Sequence, residues 1–219
     1  MKSGISNIVI ISSFLFLVVT SCAKIVRESY PFPRVRTTSI EITGYGAKFT
    51  GNIEDMGDSP ISERGFVWSI LENPDVSVDE KVYLGPAENI GSFTGDITSC
   101  LYEGTTYFVR AFAVNEGYVN YGETLKFISI GSTGPLPDHF SPTYASPGNE
   151  LVISGHNFSY VPFRNTVLLN NEIKANAFAS TDTTVSVKLP TGLPPGRYTV
   201  TLEVADVVKM VPGTLEIGN

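Results

Sequence analysis

The chain has 219 residues, of which 42% are hydrophobic and 17% are charged, and it carries a formal net charge of −7 at pH 7. No cluster of Lys and Arg offers the positive surface that a phosphate backbone requires, so the composition argues against nucleic acid as a partner. The acidic charge is better explained by solubility. The length suffices for two domains of about a hundred residues each.

The N-terminal segment has the three parts of a secretory signal. Lys2 supplies the basic start, residues 8–19 form an apolar run, and Thr20-Ser21 are small residues directly before Cys22. About a dozen apolar residues are fewer than the roughly twenty that a spanning helix needs, so cleavage is predicted. The residues ending at Cys22 resemble the lipobox of bacterial lipoproteins, which implies a signal peptide over residues 1–21. The alternatives are a transmembrane anchor or a cleaved signal with an incidental cysteine.

The lipobox resemblance implies that Cys22 is the lipid attachment site and that residues 22–35 form a lipidated tether. Lipidation at Cys22 would attach three hydrocarbon chains, which anchor a protein stably, whereas a single chain binds the membrane only marginally. Ala23-Lys24 lacks the Asp that commonly retains lipoproteins at the inner membrane, so the expected location is the outer membrane, with surface exposure left open. Removing residues 1–21 takes away Lys2 and no acid, which changes the net charge from −7 to −8.

The rest of the chain alternates apolar and polar residues, with Gly or Pro at short intervals. Residues 198–204 are the clearest example, with one apolar and one polar face. This pattern predicts an all-β fold of two immunoglobulin-like β-sandwiches in tandem. The Gly- and Pro-containing stretch 130–137 has the composition of a linker, and the alternation pauses there. Residues 130–134 are therefore predicted to link a first domain, 36–129, to a second, 135–219.

The first domain resembles the fibronectin type III-like modules of bacterial surface lipoproteins. The resemblance rests on Ser62-Glu63-Arg64-Gly65-Phe66-Val67-Trp68-Ser69, Gly91-Ser92-Phe93 and Leu101-Tyr102-Glu103-Gly104-Thr105-Thr106-Tyr107. The last of these is similar to a tyrosine corner, which implies that the Tyr107 hydroxyl bonds to upstream backbone. Cys100 has no basic neighbour and is predicted to be a small core residue.

The second domain resembles the IPT/TIG immunoglobulin-like domain. The residues that carry this resemblance are Phe140-Ser141-Pro142, Leu151-Val152-Ile153-Ser154-Gly155-His156-Asn157-Phe158 and Pro195-Gly196-Arg197-Tyr198-Thr199-Val200. Together the two resemblances imply an accessory outer-membrane lipoprotein of the kind that glycan-foraging bacteria display beside their importers. The implied partners are the membrane, through the lipid, and polysaccharide or neighbouring outer-membrane proteins.

Sandwich topology predicts where a ligand would bind. Loops 54–60 and 115–120 should meet at one end of the first sandwich, which brings an aromatic ring next to amide and carboxylate groups suited to a sugar. The candidate ligand-binding residues are Asp55, Asp58, Asn115, Glu116, Tyr118 and Asn120. The alternative is that these are ordinary polar turns.

In the second domain, Tyr160 and Phe163 are predicted to face the first domain. We interpret them as candidate domain-interface residues, and the rival interpretation is a ligand-facing platform.

The sequence shows no constellation typical of an enzyme, a metal site or a cofactor site. His139 and His156 are the only histidines and match no metal-binding motif. Glu54-Asp55-Met56-Gly57-Asp58 lacks the alternating oxygen ligands of a calcium loop. The hypothesis is therefore a non-enzymatic accessory module for polysaccharide capture. The alternative is a structural spacer or protein-binding scaffold, or the N-terminal part of a larger surface protein, without a glycan site.

The lipid anchor can be tested directly. Because the thioether forms only on cysteine, Cys22→Ser should abolish metabolic labelling with a lipid precursor and release the protein from the membrane fraction. A Cys100→Ser variant is the matched control and should be labelled as the wild type is. Labelling that survives Cys22→Ser would refute the lipobox prediction.

Overall fold

The computed structural model describes residues 31–218. The predicted signal peptide and Cys22 lie outside the described residues. Within them, all regular structure is β-strand except a 3-10 turn at Pro162–Arg164, which confirms the predicted all-β class. No helix in this range is long and apolar enough to cross a membrane.

The first sandwich consists of two facing sheets. One contains three antiparallel strands in the order β1-β2-β5, and the other has the order β4-β3-β6, with β7 and β8 both pairing with β6. The strands are β1 (Arg34–Thr43), β2 (Gly46–Asp55), β3 (Glu63–Ser69), β4 (Glu80–Tyr83), β5 (Gly91–Ile97), β6 (Glu103–Asn115), β7 (Tyr118–Tyr121) and β8 (Leu125–Ile130). The fibronectin type III-like assignment of this half stays a prediction.

An aromatic cluster fills the first core. The ring of Phe49 packs edge-to-face against Phe66, Trp68 and Phe127, with centroid distances of 5.7, 6.0 and 5.4 Å. Such pairs contribute about 0.5–1.5 kcal/mol each beyond the area that they bury. The cluster joins strands from both sheets, so it holds the two faces together.

The strands of the second sandwich form one eight-stranded hydrogen-bonded sheet with the order β10-β16-β15-β12-β13-β14-β11-β9. Its strands are β9 (Leu136–Ser141), β10 (Tyr144–Ala145), β11 (Glu150–His156), β12 (Thr166–Leu169), β13 (Ile173–Ser180), β14 (Thr184–Lys188), β15 (Gly196–Val204) and β16 (Val207–Ile217). In β15 the alternation seen in the sequence becomes burial, because Tyr198, Val200, Leu202 and Val204 all point into the core. Thr201 is also buried, and its hydroxyl donates to the Leu168 carbonyl at 3.3 Å.

A tyrosine corner stabilises each sandwich. The backbone N–H of Tyr102 donates to the Tyr107 hydroxyl at 3.0 Å, which confirms the predicted corner. In the second sandwich the Tyr198 hydroxyl donates to the Pro194 carbonyl at 2.8 Å, a contact that the sequence analysis missed. Both bonds tie a strand to the loop that precedes it.

The residues between the sandwiches are held against the first one. The Thr133 hydroxyl and the Gly134 N–H both donate to the Thr98 carbonyl, at 2.8 and 3.2 Å. At the other end of the first sandwich, β1 begins at Arg34, inside the segment predicted as tether, because Val35 is buried and pairs with Ile53.

The Tyr107 corner gives a prediction about stability. Tyr107→Phe leaves the Tyr102 N–H without its acceptor and should lower the free energy of unfolding by about 1–3 kcal/mol. The measurement is urea denaturation, with Tyr45→Phe as control because Tyr45 is exposed and should not respond. An unchanged midpoint for Tyr107→Phe would show that the corner bond contributes no net stability.

Candidate functional site

The two loops singled out in the sequence lie side by side, and together with residues 31–33 we call them the N-terminal pole. The Ser59 hydroxyl donates to the Glu116 carboxylate. Nearby, the Ser62 N–H donates to the Val114 carbonyl at 2.9 Å. These bonds connect the loop before β3 to the hairpin between β6 and β7.

The β6–β7 hairpin presents an exposed tyrosine. Glu116 and Gly117 both have positive φ, 49° and 81°, as a two-residue type I′ hairpin turn requires. Tyr118 follows this turn and is 62% exposed. Its ring lies edge-to-face against the exposed ring of Phe32, with centroids 5.5 Å apart. We call this pair the aromatic ledge. Phe32 was missed because the sequence places it in the tether.

The N-terminal segment is held in place by close backbone approach at Gly57. A Cβ at Gly57 would lie 2.8 Å from the Pro31 carbonyl oxygen and 2.9 Å from the Phe32 carbonyl carbon. Gly57 also has a φ of 73°, which disfavours other residues. The glycine therefore allows Phe32 to reach the position where it meets Tyr118.

The polar candidate residues of the N-terminal pole differ in how accessible their side chains are to a ligand. Asn115 is buried, and its amide donates to the Pro31 carbonyl and accepts from the Asn120 amide, each at 3.4 Å. One carboxylate oxygen of Asp55 accepts the Gly57 N–H at 3.0 Å. Asn115 and Asp55 thus shape the pole. Asp58 and Glu116 are exposed, and Asn120 is half-buried.

At the opposite end of the first sandwich, the two sandwiches meet around a buried carboxylate. Glu80, the first residue of β4, is 1% exposed. Its oxygens accept hydrogen bonds from the Ser159 hydroxyl, from the Tyr160 N–H at 3.2 Å and from the Arg164 guanidinium at 3.2 Å. All three donors belong to the second sandwich, so Glu80 joins the two.

The buried position changes the ionisation of Glu80 and its neighbour. Loss of solvation raises the pKa of Glu80, although the bonds from Ser159 and Arg164 oppose this. Burial, and the negative charge of Glu80, raise the pKa of the Cys100 thiol well above its usual value. Cys100 is buried, which confirms that it is a core residue, and its thiol stays protonated at neutral pH.

Tyr160 and Phe163 occupy different positions. The Tyr160 ring lies edge-to-face against Tyr83 with centroids 5.8 Å apart, and the Lys81 ammonium is 5.6 Å from its centroid. Burial, followed by the Asp182 carboxylate, raises the pKa of Tyr160. Phe163 lies in the 3-10 turn and is 77% exposed. Its ring is therefore not buried between the sandwiches, where the sequence analysis expected it.

A cleft of about 110 Å³ opens beside Glu80, with walls from both sandwiches. We call it the junction cleft; its lining includes Trp68, Glu80, Tyr83, Asp96, Ser99, Asn157, Tyr160 and Asp182. Trp68 is 4% exposed, and its indole N–H has no hydrogen-bond partner. Nothing in the sequence pattern around Trp68 signals an unpaired donor. Across residues 31–218, no group of three or more His, Cys, Asp or Glu side chains is placed to hold a metal ion.

Because the Glu80 carboxylate is buried and hydrogen-bonded, its removal is predicted to lower the stability of the fold strongly. Glu80→Ala removes the acceptor of three donors and leaves the Arg164 charge without its partner, so the free energy of unfolding should fall by about 3 kcal/mol. Glu54→Ala is the matched control: Glu54 pairs with Arg36 at 3.4 Å in a partly exposed setting, where the loss should be at most about 1 kcal/mol. Equal losses in the two variants would contradict a buried interdomain bond.

The direction of the Glu80 pKa shift also predicts a pH dependence. In the folded state the pKa of Glu80 is raised above its ordinary value of 4.5, so the folded protein binds this proton more tightly than the unfolded chain does. Its contribution to stability is therefore fully present below 4.5 and decreases as the pH rises through the elevated folded value. The difference in unfolding free energy between wild type and Glu80→Gln, measured across this range, should show that decrease. A difference that is independent of pH would exclude a raised pKa.

Residues 135–216 match the family model of the IPT/TIG domain. No curated protein matches the chain. Among solved structures, a Bacteroides thetaiotaomicron protein of unknown function is similar over 38% of this chain and 22% of its own, at 16% identity and a TM-score of 0.36.

Two further structures are similar over most of the chain. Surface glycan-binding protein PbSGBP-B of Prevotella bryantii is 10% identical over 85% of this chain and 43% of its own, with a TM-score of 0.39. SGBP-B of the Bacteroides ovatus mixed-linkage glucan utilization locus, solved with a mixed-linkage heptasaccharide, is 13% identical over 85% and 47%, with a TM-score of 0.31. The chain thus spans less than half the length of each of these structures. The family match identifies residues 135–216 as an IPT/TIG domain.

Proposed function

We propose that this is a non-enzymatic, lipid-anchored protein of the cell envelope that serves as an accessory module in polysaccharide capture. The observation that carries the proposal is the aromatic ledge, two exposed rings in contact at the N-terminal pole. Exposed aromatic rings offer the apolar faces on which the C–H faces of a sugar ring stack.

The polar surroundings of the ledge complement a sugar. Asp58 and Glu116 are exposed carboxylates on the same loops, and the hydroxyl groups of a sugar can donate to them. Carboxylates repel anionic groups, so the expected ligand is a neutral glycan. A ring on the ledge and hydroxyls on the carboxylates would fix the orientation of the bound unit.

The ledge is pre-organised, which supports a binding site over the alternative that these loops are ordinary polar turns. Tyr118 follows a type I′ hairpin turn, and Phe32 is held where its backbone passes Gly57. Groups that are ordered before binding lose less conformational freedom on contact with a ligand. Loops on a rigid β-scaffold are frequent binding sites for this reason.

The proposed anchor places the ledge close to the membrane. Phe32 follows Cys22 by ten residues, so even a fully extended chain would reach only about 35 Å. The protein would then bind polysaccharide at the membrane surface, where neighbouring outer-membrane proteins could receive it. Outer-membrane location and lipid attachment are part of this proposal.

The second candidate is a spacer or scaffold that binds only a protein partner. It is favoured by the junction, where Glu80 and the segment 130–134 hold the two sandwiches as one unit. Stiffness of this kind is what a spacer needs, and it requires no glycan site.

The ledge predicts a specific loss of binding. Loss of a stacking aromatic ring removes a contact of about 2 kcal/mol, so Tyr118→Ala should weaken binding to a neutral polysaccharide about thirtyfold. The measurement is affinity electrophoresis and calorimetry of the purified protein against neutral plant and microbial polysaccharides. Tyr45→Ala, equally an exposed tyrosine in a turn of the first sandwich, is the matched control.

The scaffold candidate gives a different result in the same experiment. If no polysaccharide is retained by the wild type, polysaccharide capture is refuted and the scaffold replaces it. If Tyr118→Ala and Tyr45→Ala bind as the wild type does, the polysaccharide is bound elsewhere than on the ledge.

A further inference from the structure

We infer that residues 31–33 form a detachable strap, which completes the aromatic ledge when it is docked and disables it when it is released. The inference rests on the proposed function and deepens it, because it names what regulates the same site. Phe32, one of the two rings of the ledge, lies on the strap, whereas Tyr118 belongs to strand β7. The ledge is therefore complete only while the strap stays docked.

The strap is held by weak contacts. Among the residues that the structure describes, two hydrogen bonds tie it to the first sandwich, and the Pro31 carbonyl accepts both. The donors are the Asp58 N–H at 3.3 Å and the Asn115 side-chain amide at 3.4 Å, longer than the roughly 2.7–3.2 Å that is usual. Pro31 and Pro33 have no N–H, so neither can donate to a neighbouring strand. Phe32 is 43% exposed, so its burial adds little resistance to release.

Strand β1 is held more firmly directly after the strap. Pro33 and Val35 are buried, and Val35 pairs with Ile53 in β2. The Arg34 guanidinium forms an ion pair with the Glu54 carboxylate at 3.0 Å. Local opening follows the boundary between weakly and strongly held segments, so release stops near Pro33 and leaves the sandwich intact.

Asn115 is the residue that positions the strap. Its side chain is buried, and its amide nitrogen donates to the Pro31 carbonyl while its oxygen accepts from the Asn120 amide in β7. It therefore bridges the strap to the strand that begins at Tyr118. Release leaves this buried donor without its acceptor, which favours the docked state when no force acts on the strap.

The direction of the chain makes the strap sensitive to its own anchor. Pro31 follows Cys22 by nine positions, so with the proposed lipid at Cys22 a pull between protein and membrane reaches the strap before β1. A polysaccharide on the ledge opposes that pull, because a ligand that binds the docked state stabilises it. The strap thus couples retention of polysaccharide to tension on the anchor.

The test compares two glycines that differ in what a side chain would contact. Gly57 has a φ of 73°, and a Cβ there would lie 2.8 Å from the Pro31 carbonyl oxygen. Gly85 has a φ of 75°, and a Cβ there would meet nothing within 4 Å. Gly57→Ala should therefore release the strap, and Gly85→Ala, with the same backbone strain, is the matched control. Near-ultraviolet circular dichroism verifies that both variants are folded.

Hydrogen exchange of the Asp58 amide, followed by NMR, measures docking without any ligand. Gly57→Ala should accelerate this exchange about tenfold, whereas the Ser62 amide, which donates to the Val114 carbonyl, should exchange as in the wild type. Affinity for soluble starch, arabinoxylan, galactomannan and mixed-linkage β-glucan is measured in parallel. For those that the wild type retains, Gly57→Ala should bind about tenfold more weakly, and Gly85→Ala should bind equally well.

A second variant tests the strap through its positioning residue. At neutral pH, Asn115→Asp replaces the donor by a carboxylate, which cannot donate to the Pro31 carbonyl, so Asp58 exchange should again accelerate. Below a pH of about 4 the new carboxyl is protonated and can donate, so the exchange rate relative to wild type at the same pH should recover. Asp55, Asp58 and Glu116 are present in both proteins, so this ratio removes their effect. A merely structural defect would not recover in acid.

Failure of this inference and failure of the proposed function give different results. If the wild type retains none of the polysaccharides, the proposed function is refuted and the role of the strap with it. If the wild type binds but Gly57→Ala and Asn115→Asp bind equally well, or if neither variant accelerates Asp58 exchange, the strap is refuted and the ledge stands. Faster exchange together with weaker binding in both variants, and recovery of Asn115→Asp in acid, would support the strap.

Discussion

A carboxylate buried between two domains restricts how those domains can meet. Removing an ion from water costs several kcal/mol unless its oxygens are hydrogen-bonded. The Ser159, Tyr160 and Arg164 groups that donate to Glu80 all lie on one loop of the second sandwich. If the second sandwich rotated while still covering Glu80, the charge would be buried without partners. The junction therefore favours a single orientation of the two sandwiches. A purely apolar contact between smooth surfaces would instead allow a continuum of similar orientations.

Other features of the junction follow from that fixed orientation. Residues 130–134 can bond to Thr98 and Leu101 because the second sandwich begins close to the end of the first. Tyr102, whose N–H completes the first tyrosine corner, lies in the loop that enters β6 near the same interface. The junction cleft is the space left between two surfaces that meet at Glu80. It is therefore as rigid as the bond that positions its walls.

The sequence was informative where a residue's role depends on its neighbours in the chain. Alternation along β15 and the spacing before Tyr107 predicted strands and a corner correctly, because both are local patterns. It was uninformative where burial comes from distant residues. Glu80 stands in a run of charged residues typical of a solvated turn, and its donors are 79 to 84 positions away. Phe32, next to two prolines, was placed in a tether, and only the close approach at Gly57 brings it to Tyr118.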